Sequence, residues 1–436
     1  ILFADSAPFA RPEAGAASIG MTSLVVGALV GIISVMASQF VAPDVLAQAL
    51  GNEQVLMAAV GLLVVMLFAS MLTGKKSAAP KLPADALPID LTGDESKDFK
   101  IVFDGLNKEL LADIGQYNLP PRTADYLKRM MDYNVPKGKL TRGLTVIAAY
   151  KKIKGLKTLS EVEYRRAATL GWTVEWLQAM FLVMDDIMDA SETRRGQVCW
   201  YLLPDVKMNA INDGLLLEAH IYVLLKKYFG TETELYVHLL ELLHEVTHQT
   251  ALGQFLDLTT SDPNVVDFTR FSLSVYSDIV IYKTAFYSFY LPCALGMRLA
   301  GVSDPELYEK AKTICMDIGH LFQVQDDYLD CYGDPERIGK IGTDIRDNKC
   351  GWLINTALGI CNEKQKKELE KNYAKGTDKR AEEKVKSIFK ELDLETHYRA
   401  HEEKAYQKIK VQIAEMKGMP SGIFTFLLEK IYKRDK

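Results

Sequence analysis

Residues 178–195 read QAMFLVMDDIMDASETRR: an apolar run, then Asp185, Asp186 and Asp189, then Arg194 and Arg195. Aspartate is a weak interior helix former, and neighbouring carboxylates repel unless something compensates them. Far downstream, "DDYLD" from Asp326 to Asp330 repeats the arrangement. On a helix Asp185 and Asp189 share one face, and so do Asp326 and Asp330. Two such faces set opposite one another would line a cavity with carboxylates. A hard cation such as Mg2+ neutralises that array, binding through one or two carboxylates together with substrate phosphates. The spacing therefore predicts a polyphosphate partner.

The surroundings of the two runs are helical. Apolar residues recur at spacings of three and four in "VEWLQAMFLVM", "LLLEAHIYVLLKKYF" and "LYVHLLELLHEVTHQTALGQFLDL", while strand alternation is nowhere sustained. Gly230, Pro292, Gly301 and Gly351 punctuate the segments. The reading is an all-α domain from residue 99 to residue 436, built of long helices. A chain of 436 residues with 48% apolar content has ample material for such a core, and a net charge of −5 without a basic stripe argues against nucleic acid. The six cysteines form no C-x-x-C pair, which excludes a zinc ribbon and points away from a disulfide scaffold.

The first hundred residues differ in kind. Residues 14–43 and 54–74 carry no charge, Asp44 and Glu53 lie between them, and Lys75, Lys76 and Lys81 follow. Each run is long enough to cross a bilayer at about 20 residues per span. The expectation is a tail over residues 1–20, a transmembrane helical hairpin over 21–73 and a Pro-rich linker over 74–98. By the positive-inside tendency the body faces the cytosol, with the endoplasmic reticulum as the expected membrane. An organelle transit peptide, leading to plastid or mitochondrion, is the alternative reading of "ADSAPFARPEAGAAS", and buried helices of a small extra domain are another. On the hairpin reading, a chain beginning near Ser96 is expected to be soluble and active.

Basic residues cluster about the aspartate runs: Arg194 and Arg195 after the first, Lys283 with Thr284 in "YKTAFYSFY", Lys340 and Lys349 in "GKIGTDIRDNKCGW". With "YNVPKGKLTRGLTV", "QAMFLVMDDIMDASETRRGQVCWY", "FQVQDDYLDCYGDPERIGKIGTDIRDNKCGWL" and a terminal "KIYKRDK", the chain from Phe99 to Lys436 closely resembles the trans-prenyl diphosphate synthases, specifically the eukaryotic farnesyl diphosphate synthase family. The resemblance implies an isoprenoid synthase bundle of helices around a central cavity, a homodimer, three Mg2+ ions, and head-to-tail condensation of isopentenyl diphosphate with dimethylallyl and geranyl diphosphate. It implies Asp185, Asp189 and Asp326 as metal ligands. It also implies Arg194, Lys283 and Lys340 as clamps on the allylic diphosphate with Gln323 beside them, and Lys139, Arg142, Gln178, Arg195 and Lys349 as the isopentenyl diphosphate site. Gln254 and Asp257 would lie near the metals. Lys137 departs from the family pattern, which has a glycine there. In the implied mechanism Mg2+ and the cationic side chains draw charge onto the leaving pyrophosphate, and the homoallylic double bond attacks the resulting cation. Backbone carbonyls, Thr284 and Gln323 would stabilise that cation, and pyrophosphate would take the final proton.

Other readings compete. His244 to His248 spell "HEVTH", the H-E-x-x-H pattern of zinc proteases, but His248 lies half a helical turn from the face of Asp257. Neither acidic run has the alternating ligands and central glycine of a calcium loop. A terpene cyclase, or a head-to-head condensing enzyme, would use aspartate-rich helices without needing Lys139, Arg142 and Arg195 for a second diphosphate. Product length turns on Met180 and Phe181, one turn before Asp185, which in the family form the floor against which the growing chain stops. Farnesyl diphosphate is the expected main product, and a geranylgeranyl diphosphate synthase is the alternative.

Overall fold

The computed structural model describes residues 81–262, 265–334 and 342–432. The chain divides between Ala79 and Pro80, and all the described residues belong to the second unit. That unit is helical: α1 (Glu95–Ile114), α2 (Pro121–Asn134), α3 (Thr141–Ile153), α4 (Glu161–Met188), α5 (Asn209–Phe229), α6 (Thr233–Thr260), α7 (Leu273–Val280), a π-helical segment (Ile281–Tyr290), α8 (Leu291–Leu299), α9 (Pro305–Tyr332), α10 (Trp352–Ile360), α11 (Glu363–Asn372), α12 (Lys379–Glu391), α13 (Leu394–Glu415) and α14 (Gly422–Ile431). A two-stranded hairpin, β1 (Thr193–Arg194) and β2 (Gln197–Val198), pairs Thr193 with Val198 and Arg194 with Gln197.

α4 is the axis of the body. Ser160 and Glu163 close a capping box at its start, each accepting the other's backbone N–H. Every residue from Tyr164 to Met180 is then buried, as a helix apolar on most of its faces requires. Trp172 stacks on Phe99 of α1 with ring centroids 4.3 Å apart, and its indole N–H donates to the Phe99 carbonyl at 2.7 Å. The helix stops where the aspartates begin to crowd. Ala190 takes a left-handed φ of 51°, and the chain doubles back through the hairpin, returning Arg194 to the end of α4.

The second positioning device is the π-helical segment. α7, this segment and α8 run on without a break, and the Leu291 N–H bonds the carbonyl of Phe286, five residues back. Such widened turns shift side chains round the helix and recur at functional sites. Glycines let the segment's neighbours come close. A Cβ on Gly253 of α6 would stand 2.1 Å from the Lys283 nitrogen, and one on Gly319 of α9 would stand 2.4 Å from the Ala285 Cβ. The segment therefore lies against both α6 and α9 at backbone distance.

The expected transmembrane hairpin is corrected by the fold. Among the described residues no helix is long and apolar enough to cross a membrane. α4 spans 28 residues, ample for a bilayer, but Arg165, Arg166 and Glu175 interrupt it with charge. The segment assigned to the hairpin, residues 21–73, lies outside the described residues, and the described residues form an all-α bundle. Residues 81–93, read from the sequence as part of a tether, are a strap on this bundle. Leu82, Ile89 and Leu91 pack against its core. The buried Arg165 donates to the Leu87 carbonyl at 2.7 Å, Arg166 donates to that of Lys81 at 3.2 Å, and Glu109 accepts the Leu87 N–H at 2.9 Å.

Candidate active site

Seven charged side chains form one chain of contacts at the end of α4. Arg194 donates through Nη2 to Asp185 Oδ2 at 3.1 Å, and through Nε and Nη2 to Asp186 Oδ1 at 2.8 and 2.6 Å. The other Asp185 oxygen faces Lys283 Nζ at 3.3 Å and accepts from Gln254 Nε2 at 3.2 Å. Lys283 also meets Asp257 Oδ2 at 2.6 Å; Lys349 Nζ shares that oxygen at 3.0 Å and reaches Asp189 Oδ2 at 3.1 Å. Gly253 makes this possible, because the close approach of α6 to the π-helical segment brings Asp257 under Lys283.

Burial and charge oppose one another here, and the outcome differs by residue. Burial penalises the Asp257 carboxylate, but Lys283 and Lys349 outweigh it and hold the group down at about 2. Asp185 is likewise lowered, against its burial, by Lys283, Arg194 and Lys349. For Asp189 and Asp186 burial prevails over their Lys349 and Arg194 partners, and both are raised. Lys283 and Lys349 are raised against their burial by the carboxylates around them. Each cation is matched to acid, and the cluster is close to self-neutralised.

The second aspartate run joins this cluster through the π-helical segment. Thr284, next to Lys283, donates to Gln323 Oε1 at 3.3 Å, and Gln323 Nε2 donates to Asp327 Oδ1 at 3.0 Å one turn further along α9. Asp327 is buried, accepts the Trp352 N–H at 2.7 Å and is pushed up to about 7 by that burial. Asp326 and Asp330 lie partly buried on the neighbouring face of α9. Asp330 accepts the Asp344 N–H at 3.0 Å, tying α9 to the loop that carries Lys349. Lys340 lies outside the described residues.

Among the described residues no three His, Cys, Asp or Glu side chains are gathered tightly enough to hold a metal by themselves. Lysines stand between the carboxylates instead. The donor set nevertheless fits Mg2+: Asp185 and Asp189 offer hard oxygens from one helix end, and Mg2+ takes one or two carboxylates and completes its shell with phosphate oxygens and water. The arrangement fits an ion that arrives with a diphosphate rather than one held in a protein cage.

A second group of cations has neutral partners. Arg142 donates through Nε and Nη2 to Ser288 Oγ at 3.0 and 2.8 Å and through Nη2 to the Tyr287 hydroxyl at 3.3 Å, and it lies 5.0 Å over the Tyr287 ring. Arg195 donates to Gln178 Oε1 at 2.9 Å. Lys139 stands exposed in the loop before α3. The carboxyl nearest these arginines, Glu175, is spent on the Gly143 N–H at 2.8 Å and is raised by its burial. This side can receive an anion with no metal between.

The sequence reading brought together Asp185, Asp189, Arg194, Lys283 and Gln254 as the structure does. Lys349 stands elsewhere than expected, with Asp189 and Asp257 on the acidic side rather than with Arg142 and Arg195. Asp186, Asp327 and Ser288 were not anticipated. The first two are the inner members of their runs, and only their position off the Asp185 and Asp326 faces hinted at them. Phe181 shares Asp185's side of α4 and is partly buried, its ring 5.9 Å from that of Tyr287, while Met180 is buried in the core. His244 of the "HEVTH" stretch is stacked on Tyr222, with ring centroids 4.4 Å apart and Nδ1 3.1 Å from the Tyr222 hydroxyl.

The family model described as polyprenyl synthetase matches residues 124–392. Farnesyl pyrophosphate synthase of Candida albicans is 48% identical over 78% of this chain and 97% of its own. Farnesyl pyrophosphate synthase 2 of Arabidopsis thaliana is 47% identical over 78% of this chain and 98% of its own. Among solved structures, T. brucei farnesyl diphosphate synthase complexed with risedronate superimposes with a TM-score of 0.71 and 35% identity, covering 78% of this chain and all of that one. The paired aspartate runs and their cations thus stand in the setting of known relatives: the chain belongs to the polyprenyl synthetase family, among the eukaryotic farnesyl pyrophosphate synthases.

Proposed function

We propose that the chain joins isopentenyl diphosphate head to tail with dimethylallyl and then geranyl diphosphate, giving farnesyl diphosphate, and that its two cationic clusters divide the two substrates between them. The observation that carries this division is electrostatic. Arg194, Lys283 and Lys349 are each matched to a carboxylate, whereas Arg142 and Arg195 are hydrogen-bonded to neutral groups. The matched cluster suits the allylic diphosphate, with Mg2+ bound by Asp185, Asp189 and Asp326, and the unmatched one suits isopentenyl diphosphate.

When bound, Mg2+ supplies positive charge at the leaving pyrophosphate and so favours breaking of the allylic C–O bond. Lys283, Lys349 and Arg194 are already held in place by their carboxylates, so they bind and orient the diphosphate without first being ordered. The Thr284 proton is turned toward Gln323, which leaves the hydroxyl lone pairs for the developing carbocation. Arg142, Arg195, Lys139 and Gln178 hold isopentenyl diphosphate with its double bond toward the reacting carbon. Phe181, with Met180 behind it, forms the floor that stops growth at fifteen carbons. Exposed apolar side chains on α5 and α6, Ile211, Leu215, Leu252 and Phe255, support assembly with a second copy of the chain.

The test is omission of one substrate. Incubation with geranyl diphosphate and Mg2+ alone should give no product, and addition of isopentenyl diphosphate should start turnover. Asp185→Ala should abolish that turnover while leaving the far-ultraviolet circular dichroism of the fold unchanged. Cyclisation of the allylic substrate alone, or near-normal rates in Asp185→Ala at saturating Mg2+, would refute the reading.

A further inference from the structure

Two cavities meet at the loop that leads into α3. One is narrow, about 20 Å3, and Arg194 and Arg195 line it. The other is an open groove of about 350 Å3, with Lys128 and Arg129 along its wall. Only Tyr133 and Lys137 line both. The groove's other two cations are compensated, Lys128 by Asp132 and Arg129 by Asp205. Lys137 is exposed and, among the described residues, forms no ion pair. The next residue fixes where it stands: Gly138 has a φ of +86°, and a Cβ there would come within 3.0 Å of Arg195 Nε. The backbone that carries Lys137 is thus pressed against the Arg195 guanidinium.

We propose that Lys137 is a further binding determinant for isopentenyl diphosphate, an uncompensated ammonium at the mouth of the pocket that captures the anion and hands it to Arg195. This rests on the assignment of Arg142, Arg195 and Lys139 to that substrate. Asp125 also lines the groove, but among the described residues no carboxylate is paired with Lys137, so its ammonium is available to an approaching diphosphate, and its position between groove and cavity puts that charge on the way in. Being in solvent, it acts through a screened field, so its effect is moderate and falls with ionic strength. Arg194 and Asp186 line the same small cavity, but the backbone beside Lys137 is in contact with Arg195, so the effect is expected chiefly on isopentenyl diphosphate.

The experiment is steady-state kinetics of the full chain with Mg2+, isopentenyl diphosphate and geranyl diphosphate, at low and high salt. Lys137→Gln should raise KM for isopentenyl diphosphate by about threefold to tenfold at low salt, with a smaller change at high salt. Its kcat and its KM for geranyl diphosphate should stay unchanged, and Lys128→Gln, which removes a paired ammonium from the same groove, should be silent. An unchanged KM for isopentenyl diphosphate in Lys137→Gln, an equal rise for both substrates, or an equal effect of Lys128→Gln would overturn the proposal. Arg142→Gln separates this from the underlying assignment. If Arg142→Gln raises KM for isopentenyl diphosphate and Lys137→Gln does not, the role of Lys137 alone fails. If neither does, the substrate assignment fails with it.

Discussion

Asp327 carries a charge balance that neither aspartate run announces. Burial lifts its carboxyl to about 7, against the hydrogen bonds it accepts from Trp352 and Gln323. In the unfolded chain it ionises at about pH 4, so between about pH 4 and 7 the fold holds a proton that the unfolded chain has released. Its contribution to stability is therefore fully present below the unfolded pKa and is lost as pH rises through 7. Urea titrations of the wild type and of Asp327→Asn should show the wild-type advantage shrinking from about pH 5 to about pH 8; a growing advantage would contradict the burial of a carboxyl held by neutral donors alone. Phe181 is tested by its product: Phe181→Ala should stay folded and shift output toward the twenty-carbon chain, and an unchanged product pattern in a folded variant would remove it from the floor. At this scale the sequence was informative where spacing alone fixes a shared face, as for Asp185 with Asp189. It was silent where partners come from distant elements: Lys349 meets Asp189 across 160 residues of chain, and nothing local says which side of the cleft it joins.

At the scale of elements, the helices were legible because they carry apolar residues at helical spacing and several begin with a capping side chain, as Asp94, Ser160 and Asp304 show. The widening of the helix over Ile281–Tyr290 was not, since a π-helical turn uses the same residue types as the α-helix on either side. It is packed closely by its neighbours. Gly253 and Gly319 admit the segment's backbone so closely that any side chain there must push it away. Gly319→Ala should cost about 1–3 kcal/mol by overpacking. It should also lower kcat, because Ala285 lies one residue from Thr284 and two from Lys283. Chemical denaturation and steady-state kinetics read the two effects, and a variant with wild-type stability and rate would show that the close contact positions nothing.

For the molecule as a whole, composition misled over residues 81–93 as it did over the expected hairpin. Residues 81–93 are rich in Pro, Asp and Ala and read as a tether, yet their carbonyls satisfy the guanidinium groups of Arg165 and Arg166, which lie buried on α4. A linker's composition does not reveal that a helix far along the chain has buried donors waiting for it. A chain beginning at residue 80 should match the full chain in activity and melting temperature. One beginning at residue 96 takes a hydrogen-bond partner from each of Arg165, Arg166 and Glu109, although Arg166 keeps Glu232 and Glu109 keeps Lys227 and Tyr228, and should melt lower; equal melting temperatures would show the strap to be passive. On the proposed function, two clusters, one acid-matched around the aspartates and one unmatched around Arg142 and Arg195, bring two diphosphates together in a pocket closed by Phe181. The most direct measurement is mass spectrometry of the products made from dimethylallyl diphosphate, isopentenyl diphosphate and Mg2+. Farnesyl diphosphate should be the main product, with geranyl diphosphate as a transient, whereas a dominant twenty-carbon product, a cyclised hydrocarbon or no condensation would contradict the two-cluster arrangement.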